Sequence, residues 1–157
     1  MANLGKVFEG EFRKSLADLA ERMNGFPMRL YDGQGKAADS TVLADFMMFT
    51  ANRAYAFECK ETQERAWPFR QLRENQREAL RRFTATSDRN RAYVAVNYRR
   101  PGTLNEMFLI PINLLLEHIG KTNRASLTRD AASLIGIRCE RVGKQWALPD
   151  LEDWEQR

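Results

Sequence analysis

Residues 42–60, VLADFMMFTANRAYAFECK, consist of two apolar runs separated by a short polar stretch. This pattern predicts two β-strands joined by a tight turn. Because side chains alternate along a strand, Glu58 and Lys60 share one face of the second strand, together with the two alanines that precede them. A carboxylate and an ammonium group in so apolar a run are costly unless they meet a partner, a metal or water. Asp45, on the preceding strand, offers a second carboxylate.

This group of side chains predicts a divalent-metal site for phosphodiester hydrolysis. Magnesium prefers oxygen ligands and is usually bound through one or two carboxylates, so we expect Asp45, Glu58 and the backbone carbonyl of Cys59 to bind Mg²⁺, with Mn²⁺ as a substitute. Lys60 could hold or deprotonate the attacking water, or stabilise charge on the phosphate. The alternative is an exposed strand face that carries a solvated ion pair between Glu58 and Lys60.

Length and composition favour a globular protein. The 157 residues fit one domain covering residues 1–157, with 43% hydrophobic content. We expect a cytoplasmic protein, because no run of 18 apolar residues and no secretory signal are visible, and because Cys59 and Cys139 form neither a metal-ligand pattern nor a disulfide framework. The net charge of +4 permits nucleic-acid binding without requiring it.

The order of the remaining predicted elements indicates the fold class. A turn-rich loop covers residues 32–40, and residues 135–148 are ambiguous. Helices are predicted at residues 5–23, 68–84, 111–120 and 126–134, and further strands at residues 26–31, 92–98 and 106–110. This pattern predicts an α/β (α+β) domain in which helices flank a central sheet.

The second predicted helix carries two further signals. Gln76 falls on its apolar face, where a glutamine needs hydrogen-bond partners such as a metal site with its waters, or a backbone group at the helix flank. The helix also carries a narrow stripe of four arginines that could follow DNA phosphates. The alternative is a solvated face partly balanced by neighbouring glutamates. The arginines are Arg70, Arg73, Arg77 and Arg81.

Two other ionisable residues, Glu9 and His118, are candidates for the site. Glu9 lies at the edge of the apolar face of the first helix, so it is either a third carboxylate that reaches the metal or its water, or a boundary glutamate paired with an arginine. His118 has no second histidine with which to share a metal, which indicates a structural or surface position.

The segment from Asp45 to Gln76 resembles the RecU-type Holliday junction resolvases of the PD-(D/E)XK nuclease superfamily. In that family an aspartate precedes a Glu-x-Lys, which is followed by Glu-Thr, an aromatic-proline turn and a helix that bears a glutamine. Residues 61–62 (ET), residues 67–68 (WP) and Gln76 occupy those places here. The opening GKVFE, residues 5–9, is similar to the Gly-x-x-Leu-Glu motif of the family's first helix.

The resemblance implies a PD-(D/E)XK core with a mixed sheet, and a homodimeric, magnesium-dependent endonuclease that resolves four-way DNA junctions by paired nicks. It implies that Asp45 and Glu58 bind the metal, that Lys60 assists the water, and that Gln76 and Glu9 support the site. The alternatives are a nuclease for flap, single-stranded or duplex DNA, and a non-catalytic DNA-binding module of the same fold.

Two departures bear on the substrate. RecU proteins carry a long stalk between the first two strands, but only residues 32–41 separate Tyr31 from Val42 here. The family's histidine before the helix glutamine is replaced by Asn75. The pattern therefore resembles a compact, stalk-less relative of the kind that a phage could encode.

Overall fold

The computed structural model describes residues 3–31 and 42–155. Its helices are α1 (Leu4–Arg22), α2 (Glu74–Thr86), α3 (Ile112–Lys121), α4 (Arg129–Ile135) and α5 (Leu151–Glu155). Its strands are β1 (Phe26–Arg29), β2 (Phe46–Phe49), β3 (Ala54–Thr62), β4 (Ala66–Pro68), β5 (Asn90–Arg100), β6 (Leu104–Pro111), β7 (Ser126–Thr128), β8 (Ile137–Val142) and β9 (Gln145–Ala147). None of the helices in these ranges is long and apolar enough to cross a membrane.

A seven-stranded mixed sheet forms the centre of the fold. Its strand order is β1-β2-β3-β5-β6-β8-β9, and β4 pairs with β7 in a separate two-stranded sheet. Within the large sheet β3 and β5 run parallel, whereas the other neighbouring pairs are antiparallel. The parallel pair requires a crossover connection, and α2 lies in that connection. The strands predicted at residues 92–98 and 106–110 are present as β5 and β6, which pair as an antiparallel hairpin.

Helix α1 covers one face of the sheet. Phe12 is fully buried, and its ring centroid lies 5.6 Å from that of Phe46 and 5.5 Å from that of Phe57. The helix begins where the Asn3 side chain accepts a hydrogen bond from the Lys6 N–H, which caps one of the free amide groups of the first turn. The amphipathic pattern in residues 5–23 therefore gave the right helix and the right buried face.

Helices α2 and α3 cover the opposite face of the sheet. Leu80 of α2 and Leu115 of α3 are fully buried against Val94 and Val96 of β5. Strand β5 is apolar on both sides because both of its faces lie under helices. Glu58 and Lys60 point to this second face, since they alternate with Phe57, which packs under α1.

The predicted start of the second helix is wrong. Pro68 is a common first residue of a helix, but here it lies in β4, and its neighbour Trp67 is fully buried and pairs with Leu127 of β7. A short 3-10 turn at Phe69–Gln71 follows, and α2 begins only at Glu74. The cause is non-local, because the β4–β7 pairing joins segments about sixty residues apart.

Two other segments differ from the prediction or add to it. The helix predicted at residues 126–134 begins only at Arg129, because Ser126–Thr128 form β7. The ambiguous residues 135–148 contain the β8–β9 hairpin, whose turn has Gly143 at φ +63°, a conformation that favours glycine. The loop predicted at residues 32–40 lies outside the described residues.

Candidate active site

Asp45 is held at the edge of β3 by two hydrogen bonds. Its N–H donates to the Phe57 carbonyl at 3.0 Å, and its Oδ2 accepts from the Cys59 N–H at 2.7 Å. The pairing of β2 with β3 ends at Phe57. Beyond that point the Asp45 side chain, instead of a β2 backbone carbonyl, accepts the hydrogen bond from the Cys59 N–H. The two hydrogen bonds fix the Asp45 carboxylate beside Glu58.

Glu58 lies at the centre of a compact polar group. It is only 5% exposed, and its Oε1 accepts a hydrogen bond from the Gln76 Nε2 at 2.9 Å. The Lys60 Nζ lies 3.0 Å from the same oxygen and 3.4 Å from the Gln76 Oε1. The structure therefore brings together the Glu-x-Lys of β3 and the glutamine of α2, and Gln76 faces the sheet as its position on the helix predicted.

Helix α2 presents Gln76 at its first turn. The Gln76 Oε1 also accepts from the Arg73 N–H at 3.0 Å, which caps the helix start. The same amide thus fixes where the helix begins and where its Nε2 points. The Asn75 side chain accepts from the Gln76 N–H at 3.0 Å and adds to this cap.

The electrostatics of the group favour a bound cation. Burial, and after it the negative charge of Asp45, raise the pKa of Glu58, whereas Lys60 lowers it, and the net result is a pKa of about 7. Two carboxylates that repel each other in a partly dry setting are stabilised by a positive ion between them. A single lysine does not offset this repulsion, since the net shift in the pKa of Glu58 is upward.

The donor set fits a hard divalent cation. No group of three or more Asp, Glu, His or Cys side chains within residues 3–31 and 42–155 is arranged to enclose a metal. Magnesium needs fewer protein ligands, because it keeps several waters and takes one or two carboxylates. The N–H and C=O of one strand residue point to the same edge, so the Cys59 carbonyl is directed to the side where its N–H meets Asp45. Two carboxylates and one carbonyl therefore meet at this edge.

Glu9 lies near the group but has another partner. Its Oε2 is 3.1 Å from the Arg29 Nη2, which is the boundary-glutamate arrangement that the sequence left open. Burial and then the charge of Asp45 raise the pKa of Glu9, while Arg29 and Lys60 lower it. Glu9 is therefore within electrostatic reach of the site, and a role at the metal stays a prediction. His118 has an edge contact with Phe69 and no role in this group.

The four arginines do not form one stripe. Arg70 and Arg73 precede α2 and are exposed, because the helix begins later than predicted. The Arg77 guanidinium donates to the carbonyls of Leu72 at 2.8 Å and Phe69 at 2.7 Å, which makes it a brace for the 3-10 turn. Arg81 is exposed and donates two hydrogen bonds, at 2.9 and 2.7 Å, to the Glu78 carboxylate of the same helix.

An open cleft of about 730 Å³ adjoins the polar group. Its walls are formed by the start of α1 (residues 3–5), by residues 59–64 and by Gln71, and Lys60 lies on its surface. Sequence patterns did not indicate this cleft or the pairing of Arg29 with Glu9, since both depend on how α1 packs against the sheet. A sequence cue for Arg29 is strand alternation, which places it on the same face of β1 as Pro27 and opposite to the exposed Phe26 and Met28.

Comparison with known proteins shows the fold. No protein-family model matches the chain, and no curated protein matches its sequence. The structure is similar to the 1.6 Å structure of Hjc from Archaeoglobus fulgidus, a Holliday junction resolvase from an archaeal hyperthermophile, with a TM-score of 0.53 and 17% sequence identity. The match covers 82% of this chain and 93% of that chain. The predicted α/β (α+β) fold, a central mixed sheet flanked by helices, is confirmed, and it is similar to the fold of Hjc.

Proposed function

We propose that the chain is a magnesium-dependent endonuclease that cuts branched DNA, with four-way junctions as its main substrate. The observation that carries this proposal is the buried carboxylate of Glu58, which lies beside Asp45 and is held by both Lys60 and Gln76. A solvated ion pair on an exposed strand would not be buried in this way. The fold-level similarity to a Holliday junction resolvase supports junction DNA as the substrate.

Each side chain has a distinct task in hydrolysis. Asp45, Glu58 and the Cys59 carbonyl would bind Mg²⁺, which would act as a Lewis acid on the phosphate and lower the pKa of water. The Lys60 ammonium group is placed to donate hydrogen bonds to the attacking water or to the phosphate oxygens, where negative charge grows as the P–O bond breaks. Gln76 holds Glu58 and Lys60 in position by contacting both, and Glu9 supports the site from α1.

A nuclease for flap, single-stranded or duplex DNA is the second candidate. It is favoured by the short connection of residues 32–41 between Tyr31 and Val42, which leaves no room for a stalk of RecU length. A non-catalytic DNA-binding module is the third candidate. A DNA-binding module has no need of a buried carboxylate such as Glu58, whose pKa is raised by burial and by the charge of Asp45. Groups with strongly shifted pKa values are typical of catalytic sites.

We expect the active form to be a homodimer, because paired nicks in opposing strands require two sites on one junction.

The purified protein, incubated with Mg²⁺ and labelled four-way junction, flap, single-stranded and duplex DNA, should cut the junction with symmetric paired nicks. Mn²⁺ should substitute, and a chelator should stop the reaction. Equal cutting of all four substrates would favour the second candidate, and binding of junction DNA without cutting in either metal would favour the third. Light scattering should give the mass of two chains.

The exposed arginines before α2 should contact DNA phosphates. We expect Arg70→Ala and Arg73→Ala each to weaken junction binding and to reduce the slope of log K against log salt by about one, because each would remove one phosphate contact. Arg81→Ala is the matched control, since its guanidinium is already hydrogen-bonded to Glu78. Binding is measured by fluorescence anisotropy at several salt concentrations with Ca²⁺ in place of Mg²⁺. Unchanged slopes in the first two variants would exclude these arginines from the interface.

A further inference from the structure

Tyr31 projects from the protein immediately beside the candidate active site. Its side chain is 73% exposed, although it is a large aromatic residue. The preceding residue, Leu30, donates its N–H to the Asp45 carbonyl at 2.9 Å. The backbone at Tyr31 is therefore one residue away from a hydrogen bond to a proposed metal ligand.

The Tyr31 ring is supported by a stack of two other side chains, Arg29 and Phe46. The Arg29 guanidinium lies over this ring, 5.1 Å from its centroid, and is 5.8 Å from the centroid of Phe46. Phe46 is buried under α1, and the Arg29 Nη2 is paired with Glu9. A guanidinium group stacks favourably on aromatic faces, so Arg29 links the exposed ring to the core. The stack thus consists of Phe46, Arg29 and Tyr31.

An isolated exposed aromatic residue needs no explanation on a protein surface. Tyr31 differs because Arg29 already restricts its ring, and Phe46 in turn holds the Arg29 guanidinium. A ring held in this way loses little conformational freedom when another flat group stacks on it. Nucleobases are such groups, since every base has a π-face, and proteins that bind unpaired bases use aromatic side chains for this purpose.

We propose that Tyr31 is a stacking platform for an unpaired nucleobase next to the phosphate that is cut. This inference rests on the proposed function and deepens it by naming what the site recognises. In a regular duplex each base is stacked between its neighbours, so the platform favours DNA whose bases are unstacked at a branch point. The Arg29 guanidinium below the ring adds positive charge where the DNA backbone would lie, and Asp45 lies at the same end of the β1–β2 pair as Tyr31.

The test places 2-aminopurine, one position at a time, at the nucleotides around the crossover of a four-way junction. Ca²⁺ replaces Mg²⁺ so that binding is measured without cleavage. With the wild-type chain, stacking on Tyr31 should quench the fluorescence at one position near the cut. Tyr31→Leu should remove this quenching and weaken junction binding by about five- to a hundredfold, whereas Tyr31→Phe should keep both. Binding to fully paired duplex should be equal in all three proteins.

Phe26 provides the matched control. It is 66% exposed and lies on β1, whose last residue precedes Tyr31 by two positions, but it alternates onto the face opposite to Arg29. Phe26→Leu should therefore leave the quenching unchanged. Quenching and affinity that are unchanged in Tyr31→Leu, or that are lost equally in Phe26→Leu, would overturn the platform. These outcomes are independent of cleavage: a chain that never cuts would overturn the proposed nuclease, while the fluorescence would still decide whether a base stacks on Tyr31.

Discussion

Glu58→Gln should abolish cleavage and, at the same time, stabilise the metal-free protein. We expect the loss of this proposed metal-binding carboxylate to reduce Mg²⁺-dependent cleavage by about a thousandfold or more, because a bound metal would supply several kcal/mol of transition-state stabilisation. The Glu58 carboxylate is unfavourable when it is charged, because burial and the nearby charge of Asp45 raise its pKa to about 7. A neutral amide of the same size removes that cost, and the expected gain in the free energy of unfolding is about 1–3 kcal/mol at pH 8.

The pH dependence of this gain follows from the direction of the shift. The folded pKa of Glu58 lies above its ordinary value of 4.5, so its contribution to stability is greatest below about pH 4.5 and is lost as the pH rises through about 7. The variant should therefore match the wild type at pH 4.5 and exceed it increasingly up to pH 8. Urea unfolding in the presence of a chelator measures this difference, and Glu140→Gln, on the exposed surface of β8, is the control. A variant that is less stable than the wild type at pH 8 would contradict the assigned burial cost.

Asp45→Asn should abolish cleavage without loss of DNA binding. The Cys59 N–H needs only an acceptor oxygen at this position, and the asparagine side chain supplies one, so the edge of β3 should keep its geometry. The negative charge that a metal requires is lost, and the rate should again fall about a thousandfold or more. Binding to junction DNA in Ca²⁺ should stay within about threefold of the wild type, because phosphate contacts dominate affinity.

The same variant gives a second readout that does not depend on activity. Asp45 is, after burial, the largest cause of the raised pKa of Glu58, so Asp45→Asn should lower the pKa of Glu58. Carbon-detected NMR titration of the glutamate carboxyl groups in metal-free buffer measures this change. Normal cleavage by Asp45→Asn would exclude Asp45 as a ligand. An unchanged pKa of Glu58 would show that the two carboxylates are not coupled.

Local sequence patterns were sufficient for most of the site. Strand alternation predicted that Glu58 and Lys60 share one face, and helical spacing predicted that Gln76 faces the sheet. Both predictions depend only on the periodicity of neighbouring residues. The contact of Gln76 with Glu58 follows once α2 lies over β3. The roles of these residues in binding metal stay predictions.

The sequence could not predict features that depend on distant segments. Pro68 has the local signature of a helix start, but the burial of Trp67 against Leu127 extends the chain there instead. Because α2 therefore begins only at Glu74, Arg70 lies outside the helix. The later helix start also gave Arg77 backbone carbonyls to bind, which helical spacing alone did not indicate. The pairing of Glu9 with an arginine was foreseen as one of two alternatives, but its partner Arg29 was not.

Strand β1 forms one edge of the large sheet, and its second residue is Pro27. The N–H of Leu30 points toward β2, so by alternation residues 27 and 29 direct their backbone groups away from the sheet. Proline has no N–H to offer at that side. Another extended chain would therefore find an interrupted row of donors along β1, which protects this edge of the sheet against edge-to-edge aggregation.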